Sequence, residues 1–155
     1  MPDDDNTLPE IGFVANFSEA ERTTLGSFGE FLSLSEGDCL IDQGHTQDSL
    51  FLIIFGTFHV QTGATGRPVL LGTLRTGDSV GEINMFDPGE ASASVISKSI
   101  SQVWKIDRVR LEQYLGEHPR EAVQLLVSIA TQLSKRLRKT NDKVALAREA
   151  MLESY

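Results

Sequence analysis

From Phe31 to Ile106 the apolar residues show no helical period. Short β-prone runs alternate there with clusters of Gly, Asp and Ser, the signature of a sandwich or barrel. The runs are Phe31-Leu32-Ser33-Leu34, Cys39-Leu40-Ile41, Leu50 to Phe55, Thr57 to Gln61, Val69 to Leu74, Ser94 to Ser97 and Ser101 to Ile106. Leu50 to Phe55 is apolar on both faces and is expected to be central. Ser35-Glu36-Gly37-Asp38 reads as a turn and Thr62 to Pro68 as a hairpin tip. Cys39, alone in its sequence and set in an apolar run, is expected to be a small core residue.

Helical signals flank this region. Ser18-Glu19-Ala20-Glu21 is a capping box that starts a helix running to about Phe28, with Gly29 as its stop. Asp107 can cap a short helix from Arg108 to Gly116, and Pro119 opens a long one. In the long helix Val123, Leu126, Ala130, Leu133, Leu137, Thr140, Val144, Ala147 and Met151 are spaced by alternating steps of three and four residues. That is a heptad seam with one polar member, and it predicts a two-stranded pairing, a homodimer. Its early part, Val123 to Ala130, is expected to pack on the chain's own β region. Beyond Leu133 a narrow stripe between charged flanks suits a partner helix.

The expected fold is therefore α+β and mainly β: a double-stranded β-helix or jelly roll with an N-terminal helix and a long C-terminal helix. Residues 1–8 are expected to be a flexible tail, 9–118 the roll with its flanking helices, and 119–155 the dimerisation helix. A chain of 155 residues with 40% apolar and 23% charged content can bury a real core. No apolar run approaches the length of a membrane span. The segment Met1 to Asn6 lacks the features of a signal peptide, so a cytoplasmic location is expected. Fourteen basic against 22 acidic residues oppose nucleic acid, which is usually gripped through basic patches. His45, His59 and His118 are scattered without metal-ligand spacing. No Gly-x-Ser-x-Gly elbow and no recurring carboxylate pair on a helix face is present, and an enzyme is not expected.

The run from Gly77 to Val95 carries the functional signal. A Gly-Asp turn leads to Gly81-Glu82, then to Ile83-Asn84-Met85-Phe86, long enough for one helical turn, and then to the small residues Ala91-Ser92-Ala93 before a strand. Small residues let backbone N–H groups approach an anion, and Glu82 is an acceptor for a sugar hydroxyl. The order Gly-Asp-x-x-Gly-Glu, then about nine residues, then small-Ser-Ala-x-Val, resembles the phosphate-binding cassette of the cyclic-nucleotide-binding domain. The order from Ile41 to Val60 (Ile-x-Gln-Gly, Ser-Leu-Phe, Gly-x-x-x-Val) is similar to that family's β-roll. The resemblance covers roughly residues 20–145.

The resemblance implies that Gly81 and Glu82 hold a ribose, that Gly81, Ile83, Ser92 and Ala93 present donors to a cyclic phosphate, and that Val60 and Leu71 line a base pocket. It also implies cyclic AMP or cyclic GMP as the ligand, with no resident cofactor. The long helix, with Arg136-Leu137 and Thr140-Asn141, is similar to the dimerising helix of the catabolite-activator branch, whose threonine reaches the base across the dimer. No recognition helix follows before Tyr155, so direct DNA binding is not expected and a protein partner is.

One departure falls on the family's central contact. Ala91 stands at the position of the arginine that neutralises the phosphate, with Glu90 beside it. A hydrogen bond to a charged group contributes about 1.5–3 kcal/mol, so its loss weakens an anion by about 10- to 150-fold. Arg67, Arg75 and Arg136 are the cations the sequence offers in its place. Two readings follow: a regulatory domain with weakened or altered nucleotide binding, or a ligand-free dimeric interaction module.

Overall fold

The structure, a computed structural model, describes residues 6–63 and 66–153. It divides into two compact units with the boundary between Pro119 and Arg120. The first opens with a short 3-10 turn, Gly12–Val14, that sequence did not signal. Helix α1, Glu19–Gly26, follows, and both halves of the capping box form: Glu21 N donates to Ser18 Oγ at 3.2 Å and Ser18 N to Glu21 Oε1 at 3.0 Å.

Among the described residues ten strands follow: β1 (Glu30–Leu34), β2 (Cys39–Ile41), β3 (Thr46–Gln47), β4 (Ser49–Phe55), β5 (Phe58–Thr62), β6 (Val69–Leu74), β7 (Ser79–Val80), β8 (Gly89–Glu90), β9 (Ser94–Ser97) and β10 (Ser101–Asp107). Helix α2, Glu82–Phe86, interrupts them between β7 and β8, and α3, Arg108–Glu117, closes the unit. Among the described residues all pairings are antiparallel, in sheets ordered β1-β10-β4-β7 and β2-β9-β5-β6 with a separate small β3-β8 pair. This is the expected jelly-roll-like β core with an N-terminal helix and a long C-terminal helix. As its apolar run required, β4 lies inside its sheet between β10 and β7. The seven longer strands match the expected runs to within a residue or two, whereas β3, β7 and β8 carry no pattern of their own at two residues each.

Two turns of identical chemistry shape the roll. In Ser35–Asp38 and in Arg75–Asp78 the aspartate Oδ2 accepts from the backbone N–H of the first residue, at 2.8 Å in both. The third residue, Gly37 or Gly77, takes a positive φ that only glycine adopts cheaply. The second turn delivers the chain to β7: Ile53 N donates to Asp78 O, and Gly77 N to Ile53 O. A core of Ile41, Phe51, Ile53, Phe58, Ala91, Val95 and Val103 fills the space between the sheets. Trp104, fully buried, donates its indole N–H to Gly26 O at 3.1 Å and so ties α1 to β10.

Two expectations need correction. Cys39 is exposed, not in the core. On the edge strand β2 a register shift lets Ile41 pair with Val95 while Cys39 pairs with Ile96, so the two face opposite ways and only Ile41 is buried. Met1–Asp5 lie outside the described residues, as do 64 and 65 in the expected hairpin tip, but Leu8 is no part of a loose tail. It is fully buried, and its carbonyl accepts from Arg22 Nη1 at 2.7 Å.

The second unit is built on α4, Pro119–Glu153. Its buried side chains are Ala122, Leu125 and Ile129. These three positions each lie one residue before the seam positions Val123, Leu126 and Ala130. Of the early seam positions, Val123 is 63% exposed and Leu126 half-buried.

Candidate functional site

Gly81 caps α2 at φ 94° and ψ 0°. A Cβ there would overlap Ser49 O and the Gln47 amide, so both the backbone conformation and the packing require glycine. The side chain of Gln47 is itself fixed, its Nε2 donating to Ser49 O at 2.6 Å and its Oε1 accepting from Ser49 N at 2.7 Å.

Glu82 begins the helix and is only 4% exposed. Its Oε1 accepts from the Ser79 hydroxyl, also buried. A carboxylate at the first position of a helix is favoured by the free N–H groups there, and burial with a hydroxyl donor fixes its rotamer. Asn84, buried two residues on, donates from Nδ2 to Glu90 O at 3.3 Å. These bonds tie α2 to Ser79 of β7 and to the β8 end of the cassette, and those of Gln47 brace the β3–β4 corner against which Gly81 packs.

The small residues divide. Ala91 is 5% exposed and belongs to the core cluster, and Val60 of β5 packs against the same cluster. Ala91 N donates to His45 O and Ala91 O accepts from Gly44 N, both at 2.9 Å. Ser92 is exposed and Ala93 half-buried. Ile83 is exposed, and so is Leu71. Leu71 is the extra residue of a bulge in β6, between Gly72 paired with Val60 and Leu70 paired with Gln61. Arg136, Thr140 and Asn141 lie on α4 in the second unit, Thr140 and Asn141 exposed and Arg136 half-buried.

The electrostatics are one-sided. From Ser79 to Val95 the chain carries Glu82, Asp87 and Glu90 and no lysine or arginine. Ala91 belongs to the same buried apolar cluster as Ile41, Phe51 and Phe58. Arg67 and Arg75 are exposed outside the cassette.

Two cavities open elsewhere. One of about 170 Å³ is lined by Phe28, Gly29, Glu30, Lys105, Asp107 and Arg110, and one of about 400 Å³ by Asp42, Gln43, Gln61, Gly63 and Ser94. Neither is lined by Gly81, Glu82 or Ala91. Among the described residues, no group of three or more His, Cys, Asp or Glu is placed to hold a metal ion, and no helix is long and apolar enough to cross a membrane.

Ser79, Asn84 and Gln47 escaped the sequence reading as parts of the site. Ser79 lies three residues before Glu82, a spacing that could have signalled the contact, whereas Gln47 is brought in by tertiary structure alone.

A family model for the cyclic nucleotide-binding domain matches residues 31–118. The chain belongs to that family. It is 31% identical over 142 residues to the CRP-like cAMP-activated global transcriptional regulator of Mycobacterium tuberculosis, a match covering 91% of this chain and 62% of that protein. The chain thus spans about three fifths of that relative. Among solved structures, a cyclic nucleotide-binding domain from Methylobacillus flagellatus superposes with a TM-score of 0.78 at 24% identity, covering 83% of this chain and 72% of the other. The catabolite activator protein of Thermus thermophilus does so with a TM-score of 0.74 at 21% identity, covering 86% and 62%. In this cyclic nucleotide-binding domain the sequence order of the cassette and the buried Gly81–Glu82 corner are both present, and Ala91 packs in the core.

Proposed function

We propose that this chain is a regulatory, signal-transducing module, not an enzyme. It works in the cytoplasm as a homodimer joined along α4, and its roll takes cyclic AMP or cyclic GMP with weakened affinity. The observation that carries this reading is the Gly81–Glu82 corner. The glycine is demanded by φ and packing, and the carboxylate is held in one rotamer by Ser79. That is the arrangement a ribose hydroxyl needs. The relative from Mycobacterium tuberculosis is described as cAMP-activated, which supports cyclic AMP as the first ligand to try.

Weakening follows from the charge of the cassette. A cyclic phosphate entering it meets carboxylates and an apolar wall at Ala91 in place of a guanidinium, and an unneutralised anion away from water is costly. Ligand in the roll then shifts how α4 pairs, by no more than its differential affinity for the two arrangements, and a protein partner reads the change. Direct DNA binding forms no part of this reading.

Calorimetric titration tests it. Cyclic AMP or cyclic GMP is expected to bind at micromolar or weaker affinity, and Ala91→Arg to tighten binding by about 10- to 150-fold. Submicromolar affinity in the unaltered chain would overturn the weakening.

The second reading, a ligand-free dimeric interaction module, is favoured by the burial of Ala91 among apolar side chains. Thermal shift with cyclic AMP, cyclic GMP and cyclic dinucleotides separates the two, because a ligand of the folded state must raise the melting temperature. No shift with any of them selects the second reading.

A further inference from the structure

The acidic balance of the whole chain conceals a segregation of charge. Residues 1–119 hold seven basic and 18 acidic residues, whereas 120–155 hold seven basic and four acidic. Six of those basic residues, Lys135, Arg136, Arg138, Lys139, Lys143 and Arg148, fall within fourteen consecutive positions of α4.

Their placement on the helix is not random. With Val123 set as position a of the heptad, Arg136 and Lys143 fall on g and Arg148 on e, the positions that flank a coiled-coil seam. The acidic residues of α4, Glu121, Asp142, Glu149 and Glu153, fall on f, f, f and c, away from the seam. No acidic residue occupies any e or g position from Val123 to Met151. Lys143 and Arg148 are exposed, and the described residues give neither of them an ion pair. Leu137, Val144 and Met151 of the seam are exposed beside them.

In a parallel pair each g residue faces the e residue five positions on in the other helix. Two copies of this chain would set Lys143 against Arg148 of the other copy, twice, with no carboxylate in reach along the flanks. A helix with the same seam and glutamate at e and g would replace each repulsion by an attraction. We propose that α4 is built to exchange its second copy for an acidic, heptad-bearing helix of a partner protein. The seam supplies adhesion to either occupant, and the basic flanks select between them. The narrowness of the apolar stripe suits a helix better than a lipid surface or a nucleic acid.

The test uses the full chain and two synthetic helices carrying its residue 123–151 seam, one with glutamate at every e and g position and one with lysine. Sedimentation velocity and fluorescence anisotropy read stoichiometry and affinity. The glutamate helix is expected to form a one-to-one complex at least about tenfold tighter than the lysine helix at 50 mM salt, the gap closing as salt rises. The double variant Lys143→Glu with Arg148→Glu is expected to reverse the preference, and circular dichroism confirms that it folds. Equal binding of the two helices, binding of neither, or copies that stay paired under a tenfold excess of the glutamate helix overturns the proposal. Tighter binding to a DNA duplex or to phosphatidylserine vesicles than to the glutamate helix overturns it as well.

Discussion

The hydroxyl of Ser79 donates to the carboxylate of Glu82, three residues on and across the end of β7, with both side chains buried. The pair fixes the one acidic side chain that the cassette turns inward. Ser79→Ala removes a donor from a buried carboxylate and is expected to lower the unfolding free energy by about 1.5–3 kcal/mol. Urea denaturation measures this, and a change within 0.5 kcal/mol, about the level of an ordinary surface substitution, would assign the fixing of Glu82 to other contacts.

Gly81→Ala tests the corner from the backbone side. Holding a non-glycine residue at φ 94° costs about 1–3 kcal/mol, and the added methyl must also displace Ser49 O. Thermal melting is expected to fall accordingly. A neutral Gly81→Ala would mean that the chain relaxes out of this conformation at no cost.

Leu137→Asp separates pairing from folding. Leu137 is 62% exposed in the seam, so the folded single chain loses little, whereas a paired seam acquires a buried charge. Sedimentation equilibrium is expected to show self-association weakened by at least about tenfold, with the melting of the β roll unchanged. Unaltered self-association would place the contact between copies elsewhere.

The thiol of Cys39 is pushed above its ordinary pKa, first by partial burial and then by the nearby Asp42 carboxylate. A raised pKa means the protonated form is the one the fold prefers. Whatever stability it contributes is complete below the ordinary thiol pKa and is lost as pH rises through the raised one. Alkylation by iodoacetamide is therefore expected to be slower at pH 8 than for a free thiol, and to quicken at higher pH. Asp42→Asn is expected to speed it at pH 8. A rate equal to that of free cysteine at pH 8 would remove this environment.

The strands were legible wherever an apolar run was long enough to have a face. Leu50 to Phe55 announced a central strand because both its faces are covered, and Asp107 announced α3 because the cap is a local bond. What escaped was set by partners distant in sequence. Cys39 and Ile41 share a parity in the chain, and only the shift against β9 sends them to opposite faces. Leu8 looked like tail because its anchor, Arg22, lies in α1.

The cassette divides in the same way. The order of its residues located Gly81 and Glu82, whose roles depend on backbone conformation and helix position. The bracing of the corner by Gln47 and the apolar setting of Ala91 emerged only with the roll assembled.

Beyond Ile129 no described residue of α4 is buried and only Gln132, Leu133 and Arg136 are half-buried, which leaves about 36 Å of largely exposed helix at 1.5 Å per residue. Segments of that kind hold their shape only weakly when alone. Whatever lies along this stretch, twin or stranger, therefore decides how much of it stays wound. Occupancy would then be written as order, with backbone amides from Ala130 onward exchanging slowly when the stretch is covered and quickly when it is bare.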